Sequence, residues 1–403
     1  MSGIPTELVD LFARWVHLIA GIMWIGNSLL FNWLDRQLEP ADGITRTPRP
    51  RGIIWLLHSG GFYYVEKTLL DGAPLPKRLH WFKWQAYTTW WSGAALLLVV
   101  YYLGGRALLT DSGNSSRAVA VAAGGIIGGW LLYEGVQRIV APRAPRVAAA
   151  VWIGGIAAIA WLFLTELSGR AAFLHIGAML GTIMAGNVVF TIVPSQRELV
   201  GSVDQGRGGD PGVSDRAKRV SIHNNYLTFP VLVLMVSNHF PSLYGMPRRD
   251  LALAALALAG VAARHLLNIR FRWPAWRMAL AGTVVGLGAV LFILTRASGS
   301  APVPEARSEQ PATFAEVRHI IDRRCAPCHS GRPTDLTFGP APGGVRYDTP
   351  EQIVAWAARI RERAVITRTM PPGNKTGISD AERNVLGRWI AAGAHLTADQ
   401  LPR

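Results

Sequence analysis

The stretch Cys325-Ala326-Pro327-Cys328-His329 decides the fold of the C-terminal part of this chain. It contains the only two cysteines in the sequence, spaced Cys-x-x-Cys and followed at once by a histidine. This is the attachment pattern of a c-type haem, because each thiol can bond to a haem vinyl group while the histidine binds the iron. A redox-active dithiol and half of a zinc site are the alternatives. We predict one covalent haem c, held by Cys325, Cys328 and His329.

The sequence after this motif contains a candidate for the second ligand of the iron. Met370 lies in the segment Thr369-Met370-Pro371-Pro372 and is the only methionine after Met278. Histidine and methionine together give a haem iron a raised reduction potential that suits electron transfer. We therefore predict that His329 and Met370 bind the iron.

Helices are predicted on both sides of the haem motif. Ser379 can cap a helix over residues 379–394, and Glu382 stands at the position that completes a capping box. An earlier helix is expected to present Phe314 on its apolar face. These helices, the haem motif and the Met-Pro loop resemble the class I cytochrome c family over about residues 310–403.

The rest of the chain is too apolar for an ordinary soluble enzyme. Of its 403 residues, 50% are hydrophobic and 15 are tryptophan. Each long apolar run can cross a bilayer as a helix. The predicted fold is therefore all-α, a polytopic membrane bundle of eight helices followed by a small cytochrome c domain. The predicted spans are residues 8–33, 81–103, 117–137, 147–168, 171–194, 222–245, 249–268 and 277–296.

The distribution of basic residues orients these spans. Lysine and arginine are concentrated in the first, third, fifth and seventh connections, and connections rich in these residues stay in the cytoplasm. Both termini are then periplasmic, on the side where bacterial c haem is attached. The net charge of +15 is thus a topology signal, and we expect no nucleic-acid partner. The expected location is the bacterial inner membrane, with the lipid bilayer as a partner.

Three regions follow from these boundaries. Residues 1–296 are predicted to form the membrane domain, 297–312 a flexible tether rich in Ala, Ser and Pro, and 313–403 the cytochrome c domain. The first span lacks a basic start and a small-residue cleavage site, so a retained helix is expected rather than a cleaved signal.

Histidines inside the spans indicate a second possible cofactor. His17 in the first span and His175 in the fifth are ionisable groups at membrane depth, where such groups usually face a cavity, a cofactor or one another. With histidines on other helices they provide what a bundle needs to hold one or two b-type haems. The alternative is that each makes only a hydrogen bond between helices.

An aromatic and polar surface is predicted on the cytoplasmic side. The segment 52–66 is too short to span the membrane and too apolar for an ordinary surface loop. We therefore predict a hairpin or re-entrant element that turns at Gly60-Gly61. The aromatic rings, amides and cations near it suit a flat, anionic, nitrogen-rich heterocycle. An aromatic belt with lysines that reach the interface is the alternative.

Several segments resemble the bacterial membrane-bound urate oxidase (urate hydroxylase) family. They are His17–Gly26, Gly60–Lys67, His80–Trp84, Gly181–Asn187 and His223–Pro230. The resemblance implies eight spans with a periplasmic cytochrome c domain, and oxidation of urate to 5-hydroxyisourate in purine breakdown. It also implies that electrons leave through the cytochrome without forming hydrogen peroxide. The first segment is loosely similar to small membrane haem proteins such as bacterial protoporphyrinogen oxidase, which keeps the haem b hypothesis open.

Urate is expected to bind at the cytoplasmic face. A base, His58 or His223, would assist proton loss and the attack of water at C5. The electrons would pass through the haem to a soluble cytochrome or a terminal oxidase. The residues predicted to bind urate or act on it are His58, Lys67, His80, Gln85, His223, Asn224 and Asn225.

Two other functions remain open at this point. One is a membrane-anchored electron conduit fed by quinol or a partner enzyme. The other is a purine transporter with a redox-sensing tail, against which the absence of an obvious pair of broken helices counts modestly.

Overall fold

The structure is a computed structural model of the 403-residue chain. It describes residues 4–41, 45, 50–68, 75–103, 108–110, 115–207, 210–246, 248–299, 312–335 and 341–396. The described residues are mostly helical, as the apolar runs predicted. Most of the predicted tether, residues 300–311, lies outside the described part. The three domain boundaries stay predictions.

The N-terminal part is built from ten described helices. They are α1 (Ile4–Gln37), α2 (Trp84–Leu97), α3 (Ser115–Ile139), α4 (Pro145–Glu166), α5 (Gly169–Asn187), α6 (Val193–Asp204), α7 (Pro211–Val236), α8 (Pro241–Tyr244), α9 (Arg249–Ile269) and α10 (Trp276–Gly299). Two π-helical segments continue these helices. Leu98–Leu103 extends α2, and Val188–Ile192 joins α5 to α6.

Seven of the described helical segments are long and apolar enough to cross a membrane. They are Leu8–Gln37, Ser116–Ile139, Pro145–Glu166, Gly169–Asp204, Gly212–His239, Arg249–Ile269 and Trp276–Arg296. Each overlaps one predicted span. The predicted span 81–103 corresponds to α2 and its π-helical extension, whose first half carries polar side chains such as Gln85 and Thr89. This eighth span stays a prediction.

Helix α5 lies at the centre of the bundle. In the most apolar stretch of the segment that contains α5, 67% of the residues are buried, whereas none is buried in the corresponding stretch of α10. Helix α5 packs against α3, α4 and α7; α7 packs in turn against α9, and α9 against α10. Small residues allow these close contacts: a Cβ atom at Gly129 would lie 2.5 Å from the sulfur of Met179 on α5. Polar side chains on α5 and α7 are therefore held deep inside the bundle.

The predicted hairpin is present. Strand β1 (Pro50–His58) pairs antiparallel with β2 (Gly61–Thr68). Ser59 and Gly60 form a two-residue turn in which both residues have positive φ, as a type I′ hairpin turn requires. The turn thus lies one residue earlier than the predicted Gly60-Gly61, because glycine is needed at the second central position and the first position here is Ser59.

The C-terminal part forms its own hydrophobic core. Its described helices are α11 (Phe314–Arg324), α12 (Pro350–Ala355), α13 (Ala357–Ile360), continued by a π-helical segment Arg361–Ile366, and α14 (Asp380–Ala391). The predicted cap of the last helix is confirmed, because Ser379 and Glu382 form a capping box. Phe314 packs on Trp389 with ring centroids 5.7 Å apart, so α11 and α14 are in contact.

Candidate functional site

Four polar side chains form a cluster inside the bundle, between α3, α5 and α7. The hydroxyl of Tyr133 lies 2.8 Å from Nδ1 of His223 and accepts a hydrogen bond of 3.1 Å from Nδ2 of Asn187. Asn187 also donates to Oδ1 of Asn224 at 2.8 Å. Tyr133 and Asn187 are almost completely buried, with 0% and 1% exposure. We call these four residues the Tyr133 cluster.

Aromatic rings enclose this cluster. The ring of Trp152 on α4 lies over His223, with centroids 5.5 Å apart and planes at 38°. The indole of Trp130 packs against Gly186, the residue before Asn187, and a Cβ atom at Gly186 would overlap the indole nitrogen. The cluster is therefore a polar centre with planar walls, an arrangement suited to a flat heterocycle.

Several buried polar atoms around the cluster have no hydrogen-bond partner among the described residues. They are Nε1 of Trp130, Oδ1 of Asn187, Oε1 of Gln137 and Nε of Arg219. Buried polar groups are normally paired, so these donors and acceptors indicate a ligand or ordered water in the native protein. Arg219 lies near enough to interact electrostatically with Tyr133 and His223, and it supplies a positive charge for an anion.

A cavity of about 650 Å³ lies between α6, the start of α7 and the π-helical segment that joins α5 to α6. Arg216 connects this cavity with the Tyr133 cluster: it lines the cavity and donates to Glu134, the neighbour of Tyr133 in sequence, at 3.2 Å. The lining also contains Thr191, Ser195, Glu198 and Asp210.

The structure separates the predicted urate residues into groups. His223 and Asn224 belong to the Tyr133 cluster. Asn225 does not: its side chain oxygen accepts hydrogen bonds from Nε of Arg264 at 3.0 Å and from Nδ2 of Asn268 at 2.8 Å. Asn225 and these two partners are buried, so Asn225 links α7 to α9.

The other predicted urate residues lie outside the Tyr133 cluster. His58 ends β1 at the exposed tip of the hairpin, and His80 is also exposed. Lys67 on β2 forms an exposed ion pair of 2.6 Å with Asp35. Gln85 is half-buried, and its Oε1 has no hydrogen-bond partner among the described residues. None of these four is hydrogen bonded to the cluster in the described part of the chain, and their roles stay predictions.

Sequence reasoning predicted His223 and Asn224 of the cluster but missed Tyr133, and it also missed Trp152 and Arg219 beside the cluster. Tyr133, Trp152 and Arg219 are common types in membrane proteins and carry no motif. Glu134 did carry a signal, since a buried acid inside an apolar segment is unusual and is often functional. It lies in the segment Ser116–Ile139 and is paired with Arg138 and Arg216.

The two histidines predicted to bind haem b are both hydrogen bonded to the protein. His175 has 0% exposure; its Nδ1 lies 2.8 Å from the carbonyl oxygen of Ala171 and its Nε2 lies 3.0 Å from the hydroxyl of Tyr102. His17 joins α1 to α2 through Nδ1, 2.9 Å from the carbonyl oxygen of Thr89. These contacts agree with the alternative of hydrogen bonding between helices. Both ring nitrogens of His175 are engaged, whereas the hydrogen bonds of His17 involve only Nδ1, and the binding of haem b stays a prediction.

The geometry around the Cys-x-x-Cys-His stretch fits covalent haem. The stretch forms a turn directly after α11, in which the amide of His329 donates to the carbonyl of Cys325 at 2.9 Å. Nδ1 of His329 lies 3.1 Å from the carbonyl oxygen of Val345, which leaves Nε2 for iron. Burial lowers the pKa of His329, which favours the neutral ring that a metal ligand requires. Burial raises the pKa of the Cys325 thiol to about 12.

The zinc and dithiol alternatives fit less well. The described residues contain no group of three or more His, Cys, Asp or Glu side chains placed to hold a metal ion. A helix precedes the two cysteines, whereas a thioredoxin-like motif follows a strand. Two free cysteines and one histidine held by its Nδ1 are the donor set that haem c needs.

The loop that carries Met370 is fixed on both sides. The amide of Met370 donates to the carbonyl of Arg363 at 3.0 Å, and its own carbonyl accepts from Nη1 of Arg383 at 2.9 Å. Arg383 is buried and also donates to the carbonyl of Ala364, so α14 holds this loop in place. Such a fixed loop is suited to present a methionine ligand.

Comparison with known proteins identifies the larger part of the chain. A family model described as urate oxidase N-terminal matches residues 3–295, a region that contains α1–α9, most of α10 and the Tyr133 cluster. No curated protein and no solved structure matches the chain. The match covers well over half of the sequence and ends before the Cys325 motif. The chain therefore belongs to the urate oxidase N-terminal family.

Proposed function

We propose that this protein is a membrane oxidoreductase that converts urate to 5-hydroxyisourate. In this reaction C5 of urate gains the hydroxyl group of a water molecule, and urate and the water together release two electrons and two protons, one proton from each. The family match supports a urate-related oxidoreductase role. The observation that carries the proposal is the Tyr133 cluster, where buried donors and acceptors without partners are enclosed by flat aromatic rings.

The side chains of the cluster suit the chemistry of urate. Urate is a planar anion with N–H donors and carbonyl acceptors on its edges. Arg219 provides a positive charge near the cluster, Oδ1 of Asn187 an acceptor and Nε1 of Trp130 a donor. Trp152 lies over the ring of His223 and provides a flat apolar wall.

His223 is the proposed base. Its Nδ1 is engaged by Tyr133, which fixes the ring and leaves Nε2 to accept a proton from urate or from the attacking water. Tyr133 also binds Asn187, so it orients the base and a candidate substrate-binding amide together. Tyr133 is thus a positioning residue. Among the predicted urate residues, His223 and Asn224 are retained in this proposal, and Asn225 is assigned to helix packing.

We propose that Cys325 and Cys328 would hold a covalent haem c and that His329 and Met370 would bind its iron, which would give the two electrons a route out of the membrane part. When bound, this group would take up one electron at a time and pass it to a soluble cytochrome or a terminal oxidase. The fixed Nδ1 of His329 and the fixed loop of Met370 support this assignment. The proposal places the protein in the bacterial inner membrane with eight spans, both termini and the haem on the periplasmic side.

The proposal is tested by product analysis on the purified full-length protein. Urate is incubated in water enriched in oxygen-18 with an electron acceptor, and the hydroxylated product is identified by mass. We expect one labelled oxygen per product and no hydrogen peroxide. A reaction with quinol as the reductant and no urate product would show that the protein is an electron conduit instead.

A histidine pair gives a matched control for the role of the cluster. His223→Gln is expected to lower the rate by about 10²–10⁴-fold, the usual contribution of a general base. His265 is also hydrogen bonded to a tyrosine, Tyr226, at 2.8 Å, but it lies outside the cluster. His265→Gln should keep a rate near that of the wild type. Equal rates for the two variants would contradict the assignment of His223.

A further inference from the structure

The C-terminal domain contacts one end of the helical bundle at a glycine. A Cβ atom at Gly245, directly after α8, would lie 2.5 Å from Cβ of Thr367 and 2.9 Å from Cγ2 of Thr369. Glycine at this position therefore lets the segment that leads to Met370 approach the bundle closely. Thr367 is buried although it lies in an irregular segment after the last π-helical turn.

Side chains next to this glycine strengthen the contact. The hydroxyl of Tyr244 interacts with the guanidinium of Arg363 from the C-terminal domain. Tyr244 and Met246 are both buried, with 5% and 3% exposure, and Tyr244 belongs to the hydrophobic core of the bundle, so the segment around Gly245 is held in place. The contact is thus a packed one.

A cavity of about 930 Å³ lies between the two parts. From the bundle it is lined by Arg170, His239 and Arg249 among others, and from the C-terminal domain by Arg368 and Met370. The loop that carries the proposed haem ligand therefore faces the bundle. The contact also lies at the end of the bundle that the distribution of basic residues assigns to the periplasm, the side on which haem c is attached.

We propose that Tyr244 and Gly245 form a docking platform for the face of the C-terminal domain that carries the Met370 loop, and that electrons enter this domain in this docked arrangement. The partner of the platform is thus the chain's own haem-binding domain. This inference rests on the proposed function, because it states on which face of the C-terminal domain the electrons released by urate enter. The platform and the Met370 loop come together although Tyr244 and Met370 are far apart in sequence.

Photo-crosslinking on the full-length protein tests the docking itself, independently of any turnover. A benzoylphenylalanine replaces His239, which is exposed and lines the shared cavity. We expect a crosslink to a peptide within residues 361–373, identified by mass spectrometry. The same probe at Trp161, an exposed residue that does not line the cavity, should give no such crosslink. Absence of the His239 crosslink, or equal crosslinking from Trp161, would overturn the platform.

A steric variant tests whether docking carries the electrons. Gly245→Val is expected to abolish the crosslink and to slow the reduction of haem by urate about tenfold, equivalent to roughly 1.4 kcal/mol in activation free energy. Urate oxidation with a small soluble acceptor, the haem reduction potential and the absorption band of methionine ligation should not change. An unchanged rate of haem reduction despite a lost crosslink would overturn the electron route. A wild-type crosslink without any reduction by urate would leave the platform standing and refute the proposed function.

Discussion

Replacing Tyr133 with phenylalanine is expected to weaken the fold and the reaction together. The substitution removes one oxygen atom and keeps the ring packed against Trp152, whose centroid lies 5.5 Å away. Two hydrogen bonds are lost, to His223 and from Asn187, in a fully buried place. At about 0.5–1.5 kcal/mol for each bond, the free energy of unfolding should fall by roughly 1–3 kcal/mol.

A second buried tyrosine provides the control. Tyr101 is 2% exposed, and its hydroxyl has no hydrogen-bond partner among the described residues. Tyr101→Phe removes the same atom without breaking a bond, so the stability should stay nearly constant or rise slightly. Any general effect of deleting a buried hydroxyl would appear in both variants.

Two measurements on detergent-solubilised protein distinguish the variants. The first is the midpoint of thermal unfolding at one fixed scan rate, and the second is the rate of urate oxidation. We expect Tyr133→Phe to lower both, because His223 loses the partner that fixes its ring, and Tyr101→Phe to lower neither. If the two variants have the same midpoint and the same rate, the Tyr133 cluster is not the organising centre of the site.

Four further outcomes are expected. Asn225→Leu should lower the yield of folded protein rather than selectively lower the rate of urate oxidation, because buried Arg264 and Asn268 lose their shared hydrogen-bond acceptor. Normal folding with a selective loss of urate oxidation would instead restore Asn225 as a catalytic residue. Leu386 in the C-terminal core has 0% exposure, so Leu386→Ala should destabilise the C-terminal part by about 2–5 kcal/mol, measured by its own unfolding transition. A smaller loss would mean that the neighbouring side chains move in to fill the space left by the leucine. Hydrogen bonds from Thr313 lower the pKa of Glu316. The stability that this carboxylate adds is therefore present above its unfolded pKa of about 4.3 and is lost as the pH falls through its folded pKa. The variant Glu316→Gln should remove this part of the pH dependence of stability. The His239 crosslink should not weaken with rising salt, because the cavity is lined by arginines from both domains, and a strong decrease would mean that ion pairs hold the domains together.

The positions of the helices could be predicted from local features of the sequence. Apolar runs of about 20 residues marked the seven membrane-length helices, and the Ser379 and Glu382 pair marked the start of the last helix. The hairpin followed from a short apolar segment around Gly60. These features act within one turn or one run of residues, so they need no knowledge of how the helices pack.

The candidate site could be predicted only in part, because it depends on packing between distant segments. Tyr133 and His223 are 90 residues apart and meet because α3 and α7 both pack on α5. Asn224 and Asn225 are adjacent in sequence yet belong to different groups of residues. Successive residues on a helix point about 100° apart, so Asn224 faces α5 and Asn225 faces α9.

Anaerobic addition of urate to the purified, oxidised protein tests the central claim most directly, with the absorption bands of the haem as the readout. We predict that urate alone reduces the haem, and that the Cys325→Ala/Cys328→Ala variant, which cannot attach haem, shows no such bands. Failure of urate to reduce a fully loaded haem that dithionite reduces normally would contradict the account.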